Sequence, residues 1–251
     1  MTICNANYTI IEIQNIIDNF ESNPSIFVKG DRNVIKLAKI KEETINIKSF
    51  KIPIILNQFI YKYFRKSKAR RSYEYATALL KNGIKTPMPI AYSEEFNWIG
   101  LQHSFYISEH LTTELTYREL VTNRNYPDRD TILKQFVQFS FQLHEKGIEF
   151  LDHSPGNTLI KKIGEGQYEF YLVDLNRMNF HESMDFDMRM KNLSHLTPDK
   201  DMVYEMSEEY ARLYQKPVDE VFEKMWHYTH SFSVRFDRKR RMKKKLKFWK
   251  K

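Results

Sequence analysis

In the stretch EFLDHSPGNTLI, residues 149–160, Asp152 and Asn157 stand five positions apart around a Ser-Pro-Gly turn. A carboxylate and a carboxamide at that spacing fit the Asp-x-x-x-x-Asn pattern of a phosphoryl-transfer loop. There Asp152 would accept the proton of an attacking hydroxyl, and the Asn157 amide oxygen would ligate Mg2+. Asp174 falls at the end of the apolar run YEFYLVDL, residues 168–175. Its carboxylate would hold metal that bridges the phosphates of ATP. Lys48, inside the β-branched run TINIKSF, would reach the α and β phosphates, with Lys51 a competitor for that role. Glu74, in a charged helical segment, would pair with Lys48 and aim it. Such chemistry depends on positioning and charge neutralisation more than on covalent work by the protein.

Each residue also has a plain structural alternative. A strand lysine usually faces solvent, and Glu74 could close a helical ion pair with Arg70 or Arg71. Asp152 and Asn157 both favour turns. Asp174 resists that alternative better, because a carboxylate closing an apolar strand needs a metal or a donor.

The elements that must position these groups follow from period and punctuation. Residues 25–29, 33–40 and 44–50 are Ile/Val-rich runs separated by GDR and KEE, which predicts a small antiparallel meander. A helix over residues 61–81 closes at Asn82-Gly83, and strands are expected after TPMP and over residues 101–111. Asp130 is a candidate N-cap for a long helix ending at Gly147, with Leu133, Phe136, Val137, Ser140, Phe141 and His144 on one stripe. The loop, a hairpin and amphipathic helices over residues 198–236 complete the order. The expected fold class is α+β: an N-terminal antiparallel sheet lobe with one helix and a mainly helical C-terminal lobe. The expected boundaries are 1–111, 112–234 and a basic tail, 235–251.

With 41% hydrophobic and 14% aromatic residues the 251-residue chain can bury a core, which excludes a disordered chain. The lone Cys4 excludes an internal disulfide, and no apolar run nears the roughly 18 residues of a spanning helix. A cytoplasmic protein is expected. Of the net +8, residues 235–251 contribute eleven Lys/Arg against one Asp, or +10, so the rest of the chain is −2. Met242, Leu246, Phe248 and Trp249 interleave with those cations, which suits an anionic membrane surface. RNA is the weaker alternative, since no nucleic-acid-binding module accompanies the charge.

FLDHSPGNTLI followed by FYLVDLNRMNF resembles the catalytic core of the protein-kinase-like sugar kinases, and within them the bacterial lipopolysaccharide core kinases (Kdo/heptose kinase family). INIKSFKIP, YFRKSKARRSYEYATALLKNGIKTPMPIAY and FYISEHL extend the likeness through the first half. The resemblance implies a bilobal protein-kinase-like fold with ATP and Mg2+ as cofactors. It implies Lys48 and Glu74 as the nucleotide-orienting pair, Asp152 as catalytic base, and Asn157 and Asp174 as magnesium ligands. The backbone from residue 108 to 111, including Glu109 and Leu111, would meet adenine. The implied acceptor is a lipopolysaccharide inner-core sugar, Kdo (an acidic eight-carbon sugar) or heptose, on the inner face of the inner membrane. Basic residues would receive an acidic sugar, with Arg177, Arg189 and Lys191 as candidates; Arg177 could equally be structural.

The sequence departs from that pattern in places. Only KGDRN stands where a Gly-rich phosphate loop would be, which leaves Arg32 to help cover phosphate. Phe150 replaces the usual histidine, and Leu175-Asn176 follows Asp174. Two alternatives remain at this level: a phosphotransferase of the aminoglycoside or choline kinase type, and a catalytically silent membrane-bound protein on the same fold.

Overall fold

The Ile/Val-rich runs place Lys48 on an inner strand of a six-stranded antiparallel sheet. The computed structural model describes residues 1–30 and 33–248, with side chains to residue 243. Its strands are β1 (Thr2–Cys4), β2 (Ile26–Lys29), β3 (Asn33–Ile40), β4 (Glu43–Phe50), β5 (Pro89–Phe96) and β6 (Leu101–Glu109). Their order is β1-β5-β6-β4-β3-β2, so the expected meander β2-β3-β4 forms one side. Strand alternation sends Ile45 and Ile47 of β4 to one face and Lys48 and Phe50 to the other. On the first face, α1 (Ile10–Asp18) packs Ile13 against Ile45, Ile47, Ile90 and Ile107. Thr9 and Glu12 close its start as a reciprocal capping box. On the second face, Ala69 and Tyr73 of α3 (Lys68–Lys81) pack with Phe50 and Tyr92.

Two compact units emerge. The first joins Met1–Thr112 to Tyr171–Arg177; the second holds Thr113–Phe170 and the chain from Met178 on. Tyr171–Arg177 therefore groups with the sheet unit, tied there by Leu172 N–H to Lys85 O (3.0 Å) and Thr86 Oγ1 to Leu172 O (2.7 Å). The sheet unit carries two helices beyond the one expected: α1 and α2 (Ile55–Tyr63).

In the second unit, β7 (Leu115–Thr116) and α4 (Tyr117–Thr122) precede α5 (Arg129–Glu145). Asp128, not Asp130, occupies the N-cap of α5, with φ +57° and no side-chain cap; Asp130 lies in the first turn. Phe136 of α5 is fully buried and stacks on Tyr117 at 4.0 Å. Gly147 ends this segment with φ +66°, and a Cβ there would lie 2.0 Å from the His181 carbonyl oxygen, so glycine is required. Then come β8 (Ile148–Phe150), β9 (Thr158–Gly164), β10 (Gln167–Leu172), β11 (Met178–Phe180), α6 (Phe186–Leu193), α7 (Lys200–Tyr214) and α8 (Val218–Phe248). β8 pairs with β11, and the β9-β10 hairpin is joined by β7. The basic tail continues α8 to Phe248, and its residues 235–243 are exposed. Among the described residues no helix is long and apolar enough to cross a membrane.

Candidate active site

Lys48 reaches a carboxylate, though not the expected one. On β4 it stands opposite Ile35 of β3 and Tyr106 of β6, and only 9% of it is exposed. Its Nζ donates to Asp174 Oδ1 at 2.6 Å and lies 5.3 Å from the Phe50 ring centroid. Asp174 is two residues past the end of β10, in the left-handed region at φ +59°, which a non-glycine residue adopts only where surroundings demand it. Asn176 helps hold that turn: its Nδ2 donates to Asp174 Oδ1 at 2.7 Å, and its N–H donates to Asp174 O. Lys51 lies beyond the end of β4 and is exposed.

The Lys48–Glu74 pair expected from the sequence is corrected. Glu74 accepts from Lys66 Nζ at 2.8 Å and from Arg70 Nε at 2.9 Å, the latter one helical turn earlier on α3. Burial alone would raise the Glu74 carboxyl; the two cations outweigh it and hold it below the usual range. The local i,i+4 partner has taken the carboxylate.

The loop carrying Asp152 and Asn157 belongs to the second unit. Pro155–Asn157 form one turn of 3-10 helix, and the Asn157 N–H bonds back to Ser154 O. Asn157 Nδ2 donates to the Asp152 carbonyl at 2.8 Å. That contact fixes the amide and leaves its oxygen as an acceptor. Beneath the loop, Asn192 Nδ2 donates to Phe150 O, and Asn192 Oδ1 faces His144, whose other nitrogen meets Tyr210 OH at 2.7 Å. His153, next to Asp152, is fully buried against the rings of Phe136 and Phe150. Burial pushes its imidazole down to about 4. Phe150 thus supplies an apolar wall for a histidine three residues later.

Other candidates divide. Glu109 ends β6 with its N–H given to Met88 O and its carbonyl accepting from Asn46 Nδ2, so its backbone is already engaged. Leu111, two residues on, has no backbone hydrogen bond among the described residues. Arg32 lies outside the described residues. Arg189 is structural: 7% exposed, it bonds Glu145 and Met184 O and lies over the Tyr214 ring. Sequence reasoning missed Arg118 of α4, an exposed guanidinium whose Nη2 would be 2.5 Å from a Cβ on Gly156. Gly156 in the SPGN turn was its one signal.

Among the described residues no three His, Cys, Asp or Glu side chains gather as a metal cluster. Mg2+ asks for less: one or two carboxylates, with waters and phosphate oxygens completing six positions. Asp174 in the first unit and Asn157 in the second each offer a hard oxygen of the kind this ion takes, a carboxylate and an amide oxygen.

Residues 38–214 match the lipopolysaccharide kinase (Kdo/WaaP) family. No curated protein matches the sequence. Among solved structures the chain is similar to WaaP in complex with acyl carrier protein: 13% identity, a TM-score of 0.64, over 95% of this chain and 98% of that one. At that identity the likeness speaks for the fold alone, which is a kinase fold. The matched span covers more than half of the chain and includes Lys48, Glu74, Asp152, Asn157 and Asp174; the protein belongs to the lipopolysaccharide kinase (Kdo/WaaP) family.

Proposed function

We propose that this protein transfers the γ-phosphoryl group of ATP to a hydroxyl of a lipopolysaccharide inner-core sugar, and that the sugar is Kdo on lipid A. The observation that carries the reading is the Lys48–Asp174 contact at 2.6 Å, which joins a nearly buried strand lysine to a carboxylate on a strained turn. Membership of a kinase family supports ATP as donor.

In this reading Lys48 binds the α and β phosphates, and Asp174 and Asn157 would hold Mg2+. The bound ion would neutralise charge on the β and γ phosphates. The sugar oxygen forms a bond to the γ-phosphorus as the bond from that phosphorus to the ADP oxygen breaks. Asp152 takes the hydroxyl proton. Leu111, with its backbone groups unengaged, receives adenine. Arg118, whose guanidinium lies beside Gly156, meets the carboxylate of Kdo; a guanidinium there suits an acidic acceptor and disfavours the cationic acceptors of aminoglycoside-type enzymes. The cationic tail on α8 would hold the protein to the anionic face of the inner membrane, where the lipid-linked acceptor lies.

Thermal unfolding with and without Mg-ATP tests the nucleotide half of this reading. The wild type should gain stability as ligand is raised above its Kd, and Asp174→Ala should lose most of that gain. A wild type that Mg-ATP does not stabilise would overturn the reading in favour of a silent scaffold.

A further inference from the structure

Helix α2 is inside out. Its sequence, ILNQFIYKY, has an apolar stripe at helical spacing, yet the residue it buries is Gln58 at 8% exposure. Gln58 is satisfied inward by Gln102 Nε2 (2.7 Å) and by Pro53 O (2.8 Å). Outward stand Ile55, Leu56, Phe59 and Tyr63, with Ile54 70% exposed before the helix and Phe64 77% exposed after it. The Phe59 ring centroid lies 4.8 Å from that of Tyr63 and 6.0 Å from that of Phe64. The β5-β6 turn packs close beside them: Lys62 Nζ donates to Asn97 O and Trp98 O, and a Cβ on Gly100 would strike the Gln58 backbone at 2.3 Å. That turn raises Trp98, 84% exposed. Soluble proteins rarely leave so many large apolar groups contiguous in water without a partner.

The surrounding charge identifies the partner. Residues 51–71 contain seven Lys/Arg and no Asp or Glu. Lys51 and Arg65 are exposed, and Lys51 and Lys68 line a cavity of about 360 Å3 with Ile52, Ile54 and Tyr61. Apolar and aromatic side chains ringed by cations match the bilayer interface, with acyl chains inside and anionic phosphate around them. Lys66 and Arg70 pair with Glu74, but a self-complementary contact with a second copy of this chain would still bring Lys51 and Arg65 against their own copies, which makes that occupant a poorer match. We propose that α2 and the β5-β6 turn form a docking face that seats the sheet unit on an anionic phospholipid surface, in addition to the tail. This deepens the reading above by naming a partner of the same enzyme, but its test needs neither ATP nor sugar.

The test is co-sedimentation of the full chain with vesicles of phosphatidylcholine, with and without phosphatidylglycerol. Wild type should bind the mixed vesicles, and Leu56→Ser/Phe59→Ser should bind them at least about tenfold more weakly, from the apolar surface lost. Tryptophan emission should shift to shorter wavelength on the mixed vesicles, and part of that shift should vanish in Trp98→Phe. Mg-ATP stabilisation read on the same samples reports the nucleotide reading separately and should be retained in both variants. Vesicle affinity unchanged in the double variant, or the same emission shift in Trp98→Phe, would overturn the proposal. Unchanged vesicle affinity alongside a concentration-dependent dimer, or a complex with an added acidic protein, that only the wild type forms would replace lipid by that occupant.

Discussion

Lys48 and Asp174, 126 residues apart in sequence, meet through a hydrogen-bonded ion pair of 2.6 Å. The pair joins a strand of the sheet to a left-handed turn, and both groups carry charges that a bound Mg-nucleotide would share out anew. Lys48→Met should therefore lower kcat by about 10²- to 10³-fold, the usual loss when one preorganised charge is removed. The unfolding midpoint should hardly move, because the Asp174 side chain is 38% exposed and water takes over, so about 1 kcal/mol or less is at stake. Lys48→Arg should not restore the rate, since a planar guanidinium fork does not reproduce a compact ammonium. Steady-state kinetics beside calorimetry separates the two effects.

Glu74 is held by Lys66 and Arg70, at a half-exposed site. Glu74→Gln should cost less than about 1 kcal/mol of stability and lower kcat far less than Asp174→Asn does. Equal losses of kcat in the two variants would show that Glu74 moves to Lys48 when nucleotide binds.

Acid should loosen the second unit through its buried histidines. Burial holds His153 down to about 4 and His144 down to about 3, from an ordinary 6.5. Both stay neutral in the native state while the unfolded chain takes up protons below pH 6.5, so the unfolded state binds more protons there. Their contribution is constant above pH 6.5 and falls as pH drops towards 4, by up to about 1.4 kcal/mol per pH unit for each histidine. Urea midpoints measured across that window should show the fall, and His153→Phe should show a shallower one. An unaltered slope would remove His153 from the cause.

Removing residues 235–251 should spare the fold and weaken membrane work. The packed part of α8 lies earlier, at Val221, Met225 and Thr229, whereas residues 235–243 are exposed. Turnover on acceptor embedded in anionic vesicles should fall several-fold more than turnover on a soluble sugar. Equal loss on both would contradict the anchoring role.

The parts legible in the sequence were those set by local chemistry. Asp152 and Asn157 share one turn, so their spacing carried the loop, and the β-branched runs around Lys48 fixed its strand. Partner choice was less legible: Glu74 has a partner one turn away on its own helix, and only the folded chain brings Asp174 to Lys48. The strand through Asp174 read too long because Val173 and Leu175 continue the apolar pattern, while β10 ends at Leu172 and the backbone turns at Asp174. α2 was hidden for the opposite reason. An apolar stripe normally marks the buried face of a helix, and here that stripe points to solvent. Arg118 had only Gly156 as a signal, since an isolated arginine finds that glycine only through the fold.

The central claim is tested most directly by incubating the protein with labelled ATP and Kdo-bearing lipid A and weighing the lipid by mass spectrometry. The expected result is one added phosphate with the wild type, and none with Asp152→Ala at an unchanged unfolding midpoint. No added phosphate with the wild type, or undiminished phosphate with Asp152→Ala, would contradict it.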